Sequence, residues 1–231
     1  MKNVTDRVVN PFGMDPDCER YVPGYGDANA DFHVVGDHPG VHGGFEGGTG
    51  GGDGRARDPA VDGEATRGRE GVPFTNAAGR RLQAALVDAG LLETAGDRPV
   101  VNRTFLSYLH PCVVDGSPSE ASYDDMERFF DAEVRAIVAH VLVPVGERAT
   151  RHVLETYTAL AWKTEVEMEA LHGRELRGSG WLVLPVREPA EWDDGHHDRL
   201  VDALRELQRT DFRRETDLGR FFPGDQSYLV R

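Results

Sequence analysis

The chain has 231 residues and 39% hydrophobic content, which suits a single domain spanning residues 1–231 with enough apolar material for a core. Forty acids against 26 bases give a formal net charge of −14, and only Lys2 and Lys163 are lysines, so almost all the positive charge is arginine. That balance argues against loose, charge-driven binding to nucleic acid, though not against a local basic groove, and no apolar run approaches the length of a membrane span. An acidic, lysine-poor surface fits a protein working in high salt, where self-repulsion is screened over a few ångströms; a codon bias toward arginine accounts for part of the same pattern. MKNVTDRVVNPFG lacks the apolar stretch of a secretory signal, so a soluble, cytoplasmic, monomeric protein is expected. In that setting Cys18 and Cys112, the only cysteines, are expected as two buried free thiols rather than a disulfide.

Residues 1–30 are polar and rich in turns. DFHVVG, residues 31–36, is a short strand candidate that stops at Gly36. Residues 43–71 hold eleven glycines and few large apolar groups, which predicts a disordered loop. That loop has no GxxxxGK[ST] and no strand feeding into it, so it is not a phosphate cradle. Ala78, Leu82, Leu86 and Ala89 recur at helical spacing up to Gly90. Residues 99–114 are β-rich and stop at His110-Pro111. Residues 119–139 form a second amphipathic helix, with Tyr123, Met126, Phe129, Phe130, Val134 and Ile137 on one side. AHVLVPVG at 139–146 reads as a buried strand, ERATRHVLETY as a helix and WLVLPV at 181–186 as the fourth strand. Residues 157–179 are irregular with a short hairpin or turn, HHDRLVDALRELQ is the last clear helix, and residues 210–231 are a polar tail bearing Phe221-Phe222.

The order β-α-β-α-β-α-β-α predicts an α/β fold: a short four-stranded parallel sheet flanked by helices on both faces. Ligands of such sheets sit outside the carboxyl ends of the strands. Asp37 and His38 follow strand one, Tyr108 and His110 end strand two, Gly146 ends strand three, and Arg187 and Glu188 follow strand four. The polar residues of chemical interest thus fall on one edge. Asp37 is either a ligand-facing carboxylate or the cap of the turn that follows. Phe74 is either core or a stacking platform, Tyr108 either core or pocket wall, and Glu188 either a site residue or a solvated turn. His38 and His42, with Asp37 and His110, invite a metal reading, but Pro39-Gly40 is expected to break any helix between them, so no metal site is predicted.

These motifs resemble the uracil-DNA glycosylase superfamily, nearest to its family 4 type. VPGYG at 22–26 and VVGDHPG at 34–40 resemble the family's opening turn, and PFTNAAGRRL at 73–82 resembles its next segment. FLSYLHPC and VLPVREP match its later motifs in position more than in identity. The resemblance implies hydrolysis of the bond between a damaged base, uracil first, and deoxyribose in DNA, with the base flipped out of the stack. It places the acid at Asp37, with His38 beside it. It implies a stacking aromatic at Phe74, a close backbone approach at Gly36, Pro39 and Gly40, and base reading at Ser107 and Tyr108, where the family has Thr-Asn. Glu188 stands where the family has histidine, so His38, His110 and Arg187 are the candidates for the missing donor. Of the family's four iron–sulfur cysteines only Cys18 and Cys112 have counterparts, so no cofactor is predicted. The alternative is a catalytically inactive relative that binds a base or nucleotide.

Overall fold

The computed structural model describes residues 9–45, 71–178 and 180–221. Within them the chain runs β1 (Tyr25–Gly26), β2 (Phe32–Gly36), α1 (Pro39–His42), α2 (Ala77–Asp88), β3 (Leu92–Thr94), β4 (Val100–Val101), β5 (Thr104–Tyr108) and α3 (Glu120–Ile137). It continues through β6 (Val141–Pro144), α4 (Glu147–Tyr157), α5 (Met168–Leu171), β7 (Leu176–Arg177), β8 (Leu182–Val183), a 3-10 turn at Pro189–Glu191, α6 (His196–Arg209) and α7 (Phe212–Phe221). The sheet order is β1-β5-β2-β6-β8-β7. The four central strands are parallel, as expected, while β1 and β7 add an antiparallel strand at each edge. The fourth strand pairs beyond β8, since Leu184 N donates to Leu142 O and Val186 N to Pro144 O.

Alternation along the strands sets the two faces. On β2, Val34 joins the cluster under α2 and α6 with Leu82, Leu86, Leu200 and Leu204. Val35 instead meets Phe130 and Val134 of α3 and Ala149 of α4. A strand buried on both faces has no solvent-facing row, which is why FHVVG lacks the polar alternation of a half-exposed strand; its one polar side chain, His33, is buried and paired with Ser107. Two of the longer helices start where the sequence offers a side-chain cap. Asn76 accepts from Gly79 N at 2.8 Å to open α2, and Ser119 accepts from Ser122 N at 3.3 Å to open α3.

Several expectations are corrected. Cys18 and Cys112 are joined in a disulfide, not two free thiols. Val22 N donates to Pro111 O and Val113 N to Arg20 O, which lays residues 20–22 antiparallel to 111–113. That pairing holds the two Cα atoms 6.1 Å apart, within the span a disulfide bridges. Pro39-Gly40 does not break a helix: Pro39 occupies the first position of α1, where its missing N–H costs nothing. The polar tail contributes α7, whose Phe212 ring packs 5.4 Å from Phe32. His196 starts α6 as expected but is buried there, on Asp193. The glycine-rich loop expected over 43–71 lies mostly outside the described residues, as does Phe222.

Candidate active site

The sequence order of the four parallel strands across the sheet is second, first, third, fourth. The chain therefore leaves β2 toward one edge, through β5, and returns past it to β6. The crevice between the ends of β2 and β6 is the switch point of the fold. A cleft of about 910 Å³ opens there, lined by Asp37 from the end of β2, Gly146, Glu147, Arg148 and Arg151 around the start of α4, Val166 to Glu169, and Arg187, Glu188 and Glu191 after β8.

Asp37 does not cap the following turn. That task belongs to His38, whose Nδ1 accepts from Gly40 N at 3.1 Å. The Asp37 side chain follows the parity of His33 and Val35 and points to the α3/α4 side. There the Tyr123 hydroxyl donates to its Oδ1 at 2.5 Å, and the Arg148 guanidinium lies 4.0 Å from the same oxygen. Arg148 also stacks 4.3 Å over the Tyr123 ring and grips Glu120 through two hydrogen bonds of 2.6 and 3.0 Å. Burial, the hydrogen bond to Asp37 and the Asp37 charge raise the Tyr123 pKa, so Tyr123 stays a donor. About a fifth of the Asp37 side chain remains exposed, toward the cleft.

The three histidines near Asp37 are differently committed. Burial lowers the pKa of His38, with the Asp37 charge opposing it. Because His38 Nδ1 accepts, its Nε2 carries the proton. His110 is buried with both nitrogens engaged: Nδ1 on the Cys112 carbonyl at 3.2 Å and Nε2 on Ser122 Oγ at 2.7 Å. His42 is fully buried and reaches across the fold to Glu188, with Nε2 3.0 Å from Oε2. A carboxylate only accepts, so His42 Nε2 donates. Its Nδ1 is buried with no partner among the described residues.

Gly36 shows why the strand must end in glycine. A Cβ there would meet His42 Nδ1, Phe74 Cζ and Tyr108 Cδ1, each at 2.8 Å. These three rings close over the glycine, with His42 5.1 Å from Phe74 and Phe74 5.3 Å from Tyr108. Phe74 sits at a positive φ of 64° and is almost fully buried. The Tyr108 hydroxyl accepts from Phe74 N at 2.7 Å and donates to Gly43 O at 3.0 Å, and burial raises its pKa. It ties the two loops together and has no donor left for a ligand. Ser107, next along β5, points to the other face and joins a buried chain with His33, at 2.7 Å from its Nε2, and Glu133. Neighbours on a strand cannot both face one site.

Of the residues proposed from sequence, the structure thus brings Asp37 and Glu188 to the cleft wall. Gly36, Phe74 and Tyr108 stand behind them, Pro39 and Gly40 shape α1, and Ser107 lies elsewhere. Arg187 lines the cleft but is spent on Glu169 and, at 3.3 Å, on Glu191. Tyr123, Arg148 and the His42–Glu188 pair were not foreseen as parts of the site. Arg148 follows a strand-ending glycine, so the strand-end rule could have found it. Tyr123 read only as an apolar-face residue, and His42 and Glu188 are 146 residues apart. An iron–sulfur cluster takes four thiolates; the chain has two cysteines, bonded to each other, so the residues present do not fit one.

No curated protein matches the chain. The family model of the uracil DNA glycosylase superfamily matches residues 23–207, which hold the whole parallel sheet, the Asp37 loop and the Glu188 turn; the chain belongs to that superfamily.

Proposed function

We propose that the chain is a DNA glycosylase-like hydrolase that cleaves the N-glycosidic bond of a deaminated or damaged base, working in high salt. The observation that carries this is Asp37: a carboxylate at the switch point, held on one oxygen by Tyr123 and open to a cleft on its other side. As the glycosidic bond breaks, positive charge grows on the sugar. A fixed carboxylate beside it stabilises that charge and orients water, and because it is already in place it costs no reorganisation. Tyr123 of α3 holds the Asp37 rotamer, with the Arg148 charge of α4 4.0 Å away, so the carboxylate is positioned before any ligand arrives.

A second reading has its own support. The Tyr108 hydroxyl is consumed by backbone groups, and Phe74 is closed over Gly36. Both fit a relative that binds a base without cleaving it. The two readings separate in one assay. Single- and double-stranded oligonucleotides carrying uracil, hypoxanthine or xanthine are incubated with protein in molar KCl, and abasic sites are cleaved with alkali. The glycosylase reading expects cleavage that Asp37→Asn reduces at least about a hundredfold. Folded protein that binds these oligonucleotides but cleaves none would favour the binding reading.

A further inference from the structure

Resting on the glycosylase reading, we infer that the preferred substrate is a base that already carries positive charge while attached to its sugar, an N-alkylated purine, and that Glu188 selects it.

Seven carboxylates line the cleft: Asp37, Glu120, Glu147, Glu167, Glu169, Glu188 and Glu191. Three arginines line it too, and each is committed to an acid. Arg148 holds Glu120, Arg151 holds Glu147 at 2.5 Å, and Arg187 holds Glu169 and Glu191. Glu188 has no arginine among the described residues. One oxygen accepts from His42 Nε2 and the other from Ala190 N at 3.5 Å, so the side chain offers no donor to a ligand. His42 holds it through Nε2, and the buried His42 Nδ1 has no partner among the described residues. That contact keeps Glu188 in place while leaving it without a guanidinium of its own. Oε2 lies 3.4 Å from where a Cβ on Gly146 would sit, so the carboxylate borders the same crevice that Asp37 enters.

This arrangement disfavours a neutral base such as uracil. Uracil leaves as an anion, and a carboxylate beside the leaving base opposes that charge. A purine alkylated on a ring nitrogen carries a formal positive charge in the ground state. When its C1′–N bond breaks, the bonding pair flows into the ring and quenches that charge, so the base leaves neutral. Water oxygen forms the new bond to C1′, and its proton passes to Asp37 and then to solvent. No acid is needed at the base. Glu188 then acts on binding, because the cation it faces is present before the bond breaks, whereas Asp37 acts on the transition state, where the charge has moved to the sugar.

The test uses full-length protein in molar KCl and duplexes carrying one 7-methylguanine, one uracil or one hypoxanthine, with protein-free controls for spontaneous loss. The inference expects 7-methylguanine to be excised with kcat/KM at least about tenfold above that of the two neutral bases. Glu188→Gln, which keeps the shape and one acceptor oxygen but removes the charge, should raise KM for 7-methylguanine about tenfold with a smaller change in kcat, and should speed uracil excision. Glu188→His should shift preference toward uracil. Wild-type protein that excises uracil or hypoxanthine in preference to 7-methylguanine would overturn the inference and leave the glycosylase reading standing. So would a KM for 7-methylguanine that Glu188→Gln does not move. Folded protein that excises none of the three would overturn the glycosylase reading itself.

Discussion

Asp31 and Asp37 flank the same strand, one before β2 and one after it, and their surroundings differ in kind. Asp31 is buried at the amino end of the sheet and receives hydrogen bonds from the guanidinium groups of both Arg103 and Arg213. Burial alone would raise its pKa, but the two arginines outweigh it and hold the carboxyl well below the usual range. These contacts join β2, the turn before β5 and α7, so Asp31 is a structural tie. Asp37, at the carboxyl end, has one close donor, Tyr123, and an arginine at 4.0 Å that is bonded elsewhere. A saturated carboxylate can do nothing but hold its partners; one left open on a cleft is available to a ligand. The same residue type on the same strand is thus assigned two roles by the number of donors that surround it.

The comparison can be broken from either end. Asp31→Ala should give the largest loss of stability. It leaves two guanidinium groups without their acceptor, and because both are half exposed the cost is about 3 kcal/mol rather than the upper range for a buried pair, read as a lower urea midpoint. The Asp31 contribution is fully present above the ordinary aspartate pKa and fades as pH falls below about 4. Glu133, buried in the sheet's other face beside Ser107, should behave oppositely. Burial pushes its pKa up to about 8, against a smaller lowering by the Ser107 hydrogen bond. The folded state therefore favours the protonated acid, and stability falls as pH rises from the ordinary glutamate value toward 8. Glu133→Gln should remove that slope and stabilise the fold at pH 8 by on the order of 2 kcal/mol; an unchanged pH–stability curve would refute the buried placement. The smallest effect is expected at Tyr123. Tyr123→Phe keeps the ring under Arg148 and removes only the donor to Asp37, so kcat should fall roughly tenfold while the unfolding free energy from urea titration changes by less than about 1 kcal/mol. A loss as large as that of Asp37→Asn would mean that Tyr123 itself touches the reacting atoms.

Much of this was legible in the sequence because apolar runs and glycine stops are local signals. VLVPV and WLVLPV carry no alternation, so they read as buried on both faces, and the strand-end rule then gathered Asp37, Gly146 and Glu188 without further information. The helix over 119–139 was found to within a few residues because its apolar face repeats. What failed was long-range or competitive. α7 was missed because Phe212 and Arg213 find their partners on Phe32 and Asp31, far away in sequence. The disulfide was missed because compartment was weighed above a pairing between residues 20–22 and 111–113 that no local pattern announces. Ser107 and Tyr108 were proposed together from the motif they resemble, although strand parity already sets them on opposite faces. His42 carried no role once a metal reading was set aside, because its partner is a carboxylate from the last loop.

The most direct test of the central claim is a paired measurement on Asp37→Asn. Its urea midpoint and its excision of a damaged base are read on one preparation in molar KCl, beside wild type. The account predicts an unfolding free energy within about 1 kcal/mol of wild type, since Tyr123 still has an oxygen to donate to, together with loss of cleavage. A variant that is strongly destabilised, or one that cleaves as wild type does, would show that Asp37 is a second structural tie like Asp31 and that the cleft at the end of β2 is not where the chemistry occurs.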